Sequence, residues 1–148
     1  FNIWKPDSKE RLLTYVVGND KRGFKVDWEW YLQMREKNLS RFFENPGDKT
    51  EIFRVVVRRS HFYGALEEGE TEPYTMRLET PFTKNFAGAI YQDPLSLSSQ
   101  EMKRHLKWSE ERMATVELGW ISDGQFGVPR RVVIKNFLGW GLALDRAF

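Results

Sequence analysis

Hydrophobic and polar residues alternate between Phe24 and Met34, close to the start of the chain. The apolar residues occupy every second position and include two tryptophans, and mainly charged or polar residues lie between them. A period of two is typical of a β-strand that buries one face and leaves the other in water. The pattern therefore predicts a long strand up to about residue 35, followed by a helical turn over Leu39–Phe43. A helix over 27–43 is the alternative, because apolar residues at 39, 42 and 43 follow at helical spacing.

Other segments with strand patterns follow along most of the chain. A short strand is predicted over Leu12–Val17, and the glycine-containing connection Gly18–Gly23 should close a hairpin onto the strand that begins at Phe24. Further strands are predicted over Ile52–Leu66, Tyr74–Glu79, Phe86–Tyr91, Val116–Ile121 and Arg131–Phe137. In the first of these, the apolar residues at 53, 55 and 57 are expected to share one face.

The period changes in the second half of the chain. Ser98 is followed three residues later by Glu101, which is the spacing of a helix-capping box. Apolar residues at 102, 106 and 113 then fall on one face at helical spacing. This pattern predicts one amphipathic helix over 99–113.

These elements predict an α+β fold that is mainly antiparallel β. We expect a bent sheet or a partly open barrel with the single amphipathic helix packed on it. The length of 148 residues suits a single domain, 1–148, because a chain of this size can bury a sizeable core. An extended N-terminal arm (1–10) and an apolar C-terminal tail (138–148) are predicted at its two ends.

The amino-acid composition excludes several kinds of functional site. The chain has 41% hydrophobic and 30% charged residues, as globular proteins do, and no cysteine, which excludes disulfides, thiolate metal sites and a cysteine nucleophile. No apolar run approaches the ~18 residues of a spanning helix, so no transmembrane segment is expected. An intracellular location or the interior of an organelle is favoured.

The sequence shows no arrangement of residues that is typical of catalysis. The only histidines, His61 and His105, lack a metal-binding spacing, and neither a nucleophile elbow nor a phosphate-binding loop is present. Asp27 and Glu29 would share a face of the predicted strand, but an exposed ladder of charges explains that pair more simply. We therefore predict no catalytic residue, no metal and no cofactor, and we expect a protein that is not an enzyme.

Aromatic residues at both ends of the chain indicate contact with other proteins. Termini fray unless they are docked, and exposed apolar patches mark partner surfaces. We therefore expect a structural or binding subunit of a larger protein assembly. Trp4, Trp140 and Phe148 are the predicted contacts with the partner.

Two other functions are open. Basic residues on strands, with aromatic residues between them, are typical of sheets that bind single-stranded RNA or DNA. The candidate nucleic-acid contacts are Arg54, Arg58, Arg59, Arg130 and Arg131. The other alternative is a barrel that binds a small molecule in a cavity lined by Trp28, Trp30, Met34 and Phe53.

Overall fold

The computed structural model describes residues 2–4, 11–13, 16–19, 23–26, 28–62, 68–69, 71–72, 74–81, 86–92, 95–122 and 130–141. For the described residues up to 26 and for 86–92, the structure describes the backbone only. The strands are β1 (Asn2–Trp4), β2 (Arg11–Leu13), β3 (Val16–Asn19), β4 (Gly23–Val26), β5 (Glu51–Arg59), β6 (Tyr74–Glu79), β7 (Phe86–Gln92), β8 (Glu111–Ile121) and β9 (Arg131–Trp140). The helices are α1 (Trp28–Arg35), α2 (Asn38–Glu44) and α3 (Leu97–His105).

The architecture is α+β and is dominated by one curled antiparallel sheet. Its strand order is β7-β6-β5-β8-β9, and every neighbouring pair is antiparallel. The two edge strands, β7 and β9, approach each other closely enough for their Cα atoms to lie within 8 Å. The predicted fold class, an antiparallel sheet bent toward a barrel with helical cover, is therefore confirmed.

The core fills the inner face of this sheet, which we define as the face that carries Phe53, Val55 and Val57. All three side chains are buried, as their alternation predicts. Leu39 and Phe42 from α2, Met102 from α3 and Leu106, which directly follows α3, are buried in the same cluster. The opposite face, which carries Arg58 and Arg77, is the outer face.

The predicted strands that begin at 52, 74, 86, 116 and 131 all exist. Strands β8 and β9 are longer than expected, whereas β5 ends at Arg59, short of the predicted end at Leu66. The predicted N-terminal hairpin is also present, because β3 pairs with β4 up to Asn19 opposite Gly23. Its connection is shorter than predicted, and residues 20–22 lie outside the described part of the chain. The predicted strand over Leu12–Val17 corresponds to parts of β2 and β3.

The predicted strand from Phe24 to Met34 is wrong beyond Val26. The chain forms helix α1 from Trp28, which leaves Trp28 62% exposed while Trp30 is fully buried. The alternating residues therefore do not form the buried face of a strand. Trp28 and Trp30 would share such a face, but one is exposed and the other is buried. The alternative prediction, one helix over 27–43, is closer to the observed structure, which has two helices in this range. Lys37 adopts the left-handed conformation (φ 54°) and separates α1 from α2.

The predicted helix over 99–113 is too long. Helix α3 ends at His105, and its N-cap is Ser96, whose hydroxyl accepts a hydrogen bond from the Ser99 N–H at 3.1 Å. Residues from 111 onward pair with β5 instead, so Met113 lies opposite Val56 in the sheet. The ladder of backbone hydrogen bonds outweighs the helical periodicity of these residues.

Part of each predicted terminal extension belongs to a β-sheet. Within the arm, β1 pairs with β2 and places Ile3 opposite Leu12, while residues 5–10 lie outside the described residues. The tail begins as the end of β9, where Trp140 lies opposite Ala114. The rest of the tail, 142–148, is also outside the described residues. The longest described helix, α3, has nine residues, so no helix in the described ranges is able to span a membrane.

Candidate functional site

Positive side chains stack on aromatic rings at one end of the curled sheet. At this end β5 and β9 finish and β6 and β8 begin, and the loop between α3 and β8 lies here. We call this surface the rim. It comprises Arg59, Tyr74, Lys103, Trp108, Arg112 and Trp140, with His61 and His105 beside them.

One half of the rim is built around Arg59, the last residue of β5. Its guanidinium carbon lies 4.2 Å from the centre of the Trp108 ring and 5.4 Å from that of Tyr74. The ammonium of Lys103, from α3, lies 5.3 Å from the same Tyr74 ring. These distances lie within the range of cation–π attraction. Two cations and two aromatic rings thus form one stacked group.

Trp108 is the most exposed aromatic residue of the rim, with 47% of its surface accessible. It sits in the loop between α3 and β8, beside Ser109, which adopts a positive φ of 64°. The His61 ring lies 4.5 Å from the Trp108 ring at an angle of 30°. Trp108 is therefore held in place by neighbours while much of it still faces solvent.

The other half of the rim is built around Trp140, at the end of β9. The Arg112 guanidinium carbon lies 4.4 Å from the Trp140 ring centre, and its Nη1 donates a 2.8 Å hydrogen bond to the His105 carbonyl. Phe137 packs edge-on against Trp140 at 4.9 Å. The His105 imidazole lies 3.2 Å from the Glu101 carboxylate. Arg112 is thus fixed by a ring and by a hydrogen bond.

Strand register joins the two halves. Arg112 lies directly opposite Val57 on the neighbouring strand, and Arg59 is two residues beyond Val57. Residues two apart on a strand point to the same face, so Arg59 and Arg112 both project from the inner face. The two arginines therefore lie on one surface, and Lys103 joins it through the Tyr74 ring that it shares with Arg59.

The rim cations differ from those of the outer face in what neutralises them. On the outer face, Arg58 pairs with Glu111 and Arg77 pairs with Glu79. No carboxylate of the described ranges forms an ion pair with Arg59, Lys103 or Arg112. Within the described residues these cations contact aromatic rings, and Arg112 also bonds the His105 carbonyl, so no described carboxylate neutralises their charge.

Tyr74 supports the rim from beneath. Its side chain is buried, and burial raises the pKa of its phenol while the nearby Arg59 lowers it by a smaller amount. The ring therefore remains neutral at ordinary pH. A neutral, buried ring gives Arg59 and Lys103 a fixed surface to stack on.

The structure disperses the arginines that were predicted to contact nucleic acid. Only Arg59 belongs to the rim. Arg54 is buried and lies 3.6 Å from Glu29, Arg58 pairs with Glu111, and Arg130 lies 3.6 Å from Asp48. Arg131 begins β9, at the opposite end of that strand from Trp140.

Of the predicted partner contacts, Trp140 is part of the rim. Trp4 lies in β1, and its side chain is outside the described set. Phe148 lies outside the described residues. Trp108, Lys103 and Arg112 were not predicted as site residues. Basic residues are dense around Trp108, but the helix predicted over 99–113 included this segment and was expected to pack on the sheet.

The other predicted candidates do not come together in the described structure. Glu29 lies on helix α1 rather than on a strand, and Asp27 is outside the described residues. No group of three histidine, aspartate or glutamate residues suited to a metal ion occurs among the described residues. Of the residues predicted to line a ligand cavity, Trp30 and Phe53 are buried whereas Trp28 is exposed, so their environments differ.

Glu117 lies at the other end of the sheet, on the outer face of β8. The Thr50 hydroxyl donates a 2.7 Å hydrogen bond to one carboxylate oxygen, and the Asn136 amide donates to the other. These two bonds, the first being the stronger influence, hold the pKa of Glu117 below its ordinary value. Lys135 adds a smaller electrostatic contribution in the same direction.

The Glu117 carboxylate should therefore make the stability of the protein depend on pH. A lowered pKa in the folded state stabilises the protein above the unfolded-state pKa of about 4.3, and this gain is lost as pH falls through the folded-state value. We expect the stability difference between wild type and Glu117→Gln to shrink across that acid range. Chemical denaturation at several pH values measures it. A stability difference that stays constant down to the lowest pH would contradict this prediction. In a separate NMR titration, Thr50→Val should raise the pKa of Glu117, because it removes one of the two hydrogen bonds to the carboxylate.

No family model, no curated protein and no solved structure matches this chain.

Proposed function

We propose that this chain is a non-enzymatic binding subunit of a larger protein assembly and that the rim is its docking surface. The observation that carries the proposal is the set of three rim cations that stack on aromatic rings and form no ion pair with a described carboxylate. One of them, Arg59, stacks on Trp108, which is half-exposed. A surface of this kind is built for contact with another molecule.

The residue types of the rim are those that dominate binding energy at protein interfaces. Tryptophan, tyrosine and arginine are enriched among hot-spot residues, whereas most other interface residues contribute little. Stacking also holds Arg59 and Arg112 in place before binding. Immobilising a long side chain on association costs roughly 0.5–1.5 kcal/mol, and the rim has already met part of that cost.

The charge of the rim indicates the chemistry of the partner. Three cations that lack carboxylate partners within the described chain favour an acidic surface or segment on the other protein. An aromatic or aliphatic side chain of the partner can cover the exposed part of Trp108. The docking surface we propose therefore combines acidic and apolar groups.

Single-stranded nucleic acid also carries negative charge and also stacks on aromatic rings, but two observations favour a protein. Three of the five arginines that were predicted to contact nucleic acid pair with carboxylates. The net charge of the chain is only +2. Strong phosphate binding generally needs a larger basic surface.

The test is the size of the native particle that carries this protein in the cells that make it. The tagged wild type, the double variant Arg59→Ala/Trp108→Ala and the control Trp28→Ala are compared by size-exclusion chromatography with light scattering. Wild type and control should elute in a particle larger than the protein itself. The double variant should leave the particle, because hot-spot truncations cost about 2 kcal/mol or more, roughly 30-fold in affinity.

Trp28 is a matched control because it is an exposed tryptophan outside the rim. Circular dichroism and thermal unfolding of each purified variant separate lost binding from lost folding. Elution of the wild type as a lone chain, or retention of a folded double variant in the particle, would overturn the proposal. Dissociation of the particle by nuclease would do the same and would favour nucleic acid.

A further inference from the structure

Among the described strands, none pairs with the first residues of β5 along one of its two edges. Its ladder with β8 runs from Glu51 to Arg58, whereas its ladder with β6 begins only at Val56. On the β6 side, the backbone of residues 51–55 therefore lacks a strand partner among the described strands. Unpaired strand edges are templates for the addition of another strand.

The Gln33 side chain covers one position of this edge. Its Nε2 donates a 2.8 Å hydrogen bond to the Arg54 carbonyl, and its Oε1 accepts a 3.0 Å bond from the Arg54 N–H. If the β5–β6 register continued, Arg54 would lie opposite Pro81, since Val56 lies opposite Glu79. Proline has no N–H to donate, so the ladder cannot continue there. The buried amide of Gln33 takes the place of a strand residue.

Ile52 presents the next pair of backbone groups along the same edge. Backbone groups of alternate residues point to the same side of a strand, so the Ile52 N–H and C=O point the same way as those of Arg54. No hydrogen bond from a described residue reaches them. A cavity of about 480 Å³ opens at this position, and the Ile52 side chain is 45% exposed.

We propose that an extended segment of another protein adds to β5 here as an antiparallel strand. The Ile52 N–H would donate to a carbonyl of the segment, and the Ile52 carbonyl would accept from the N–H of the same residue. This is strand addition, in which main-chain hydrogen bonds supply affinity and side-chain pockets supply specificity. The Gln33 amide sets one end of the site, because it already occupies the position beside Arg54.

The cavity lining specifies the side chains of the segment. It contains three carboxylates, Glu29, Glu51 and Glu117, against the single guanidinium of Arg54. That guanidinium is already engaged by Glu29 at 3.6 Å. The segment should therefore place an apolar residue opposite Ile52 and a basic residue opposite Glu51. Pairing of two copies of this chain through the same edge is disfavoured, because it would bring two sets of carboxylates together.

This site is separate from the rim. Ile52 and Arg59 lie near opposite ends of β5, seven residues apart, which is about 23 Å at ~3.3 Å per residue. Loss of binding at one site therefore leaves the other available, and the two proposals fail independently.

The test uses the protein labelled with ¹⁵N and the capped peptide Thr-Val-Lys-Thr-Thr, whose valine is designed to pair with Ile52 and whose first threonine stops short of Arg54. Titration should shift the amide signals of Ile52 and its β5 neighbours in a saturable way. Methylation of the valine nitrogen removes one of the two central hydrogen bonds and should weaken binding at least about tenfold. Replacement of the lysine by glutamate should weaken binding in the same assay.

Protein variants provide the matching test. Ile52→Pro removes an N–H that the β5–β8 ladder does not use, so the sheet should remain intact while peptide binding is lost. Ile52→Thr keeps that N–H but loses part of the apolar contact with the valine, so it should bind more weakly than wild type and more tightly than the proline variant. If the proline variant does not fold, the methylated peptide decides. Equal binding of the methylated peptide, absence of saturable shifts, or shifts away from the β5 edge would each overturn the proposal, as would self-association through this edge.

Discussion

Replacing Gln33 with leucine is expected to lower the free energy of unfolding by about 2–4 kcal/mol. The substitution removes the donor and the acceptor that satisfy the Arg54 carbonyl and N–H. Gln33 is buried, so those backbone groups would remain in a site with restricted access to water. A buried polar group without a partner costs roughly 1–3 kcal/mol, and two such groups are created here. Equilibrium denaturation with urea measures the loss.

Gln100→Leu is the matched control for Gln33→Leu, since Gln100 also donates from a helix to a backbone carbonyl but lies in solvent. Water can replace its bond, so the effect should stay within about 0.5 kcal/mol. A second variant, Gln33→Glu, keeps the shape and loses the donor at neutral pH. Its stability should recover in acid, because a protonated carboxyl can again donate to the Arg54 carbonyl. Equal losses for Gln33→Leu and Gln100→Leu would contradict the proposed structural role of the amide.

Replacing Phe53 with alanine should cost about 3–5 kcal/mol of the free energy of unfolding. Phe53 is almost fully buried on the inner face, where its ring packs against Phe42 at 5.2 Å in an edge-to-face arrangement. Removing the ring loses buried apolar surface and leaves a cavity between β5 and α2. A domain with a typical stability of about 5–15 kcal/mol would lose much of its folded margin. Thermal and urea denaturation report the change.

The neighbouring residue supplies the control for Phe53→Ala. Ile52→Thr changes a side chain on the outer face of the same strand and keeps β-branching, so its effect should be near 0.5 kcal/mol or less. A similar loss at both positions would mean that the inner face of β5 is not the core. The comparison therefore tests the assignment of the two faces as well as the packing.

The strands could be predicted from the sequence where one face packs against the core and the other faces water. Along β5 the side chains of Phe53, Val55 and Val57 are buried at every second position, as predicted. The outward-facing Arg54 is buried as well, because α1 packs against it through Glu29 and Gln33. Trp28 and Trp30 show the same alternation without a strand. In α1 one of them is exposed and the other buried. Period alone could not separate these cases, because the second depends on what α1 packs against.

The candidate site was only partly visible in the sequence. Trp140 and Arg59 were identified, but for two different functions, and the strand register brings them to the same surface. Trp108 and Lys103 lay within the predicted helix over 99–113, whereas the observed helix ends at His105, before Trp108. Ion pairing of the other arginines depends on long-range contacts, such as that of Arg130 with Asp48. Such contacts leave no local pattern.

The amino-acid sequence by itself determined the antiparallel character of the sheet, the inner face of β5 and the need for helical cover. These properties follow from side-chain periodicity and from the burial of apolar surface, which act locally along the chain. Only the tertiary structure decided that Gln33 completes the edge of β5 and that Arg59 and Arg112 share one rim. Both depend on which strands lie side by side, and strand order is set by contacts between residues far apart in sequence.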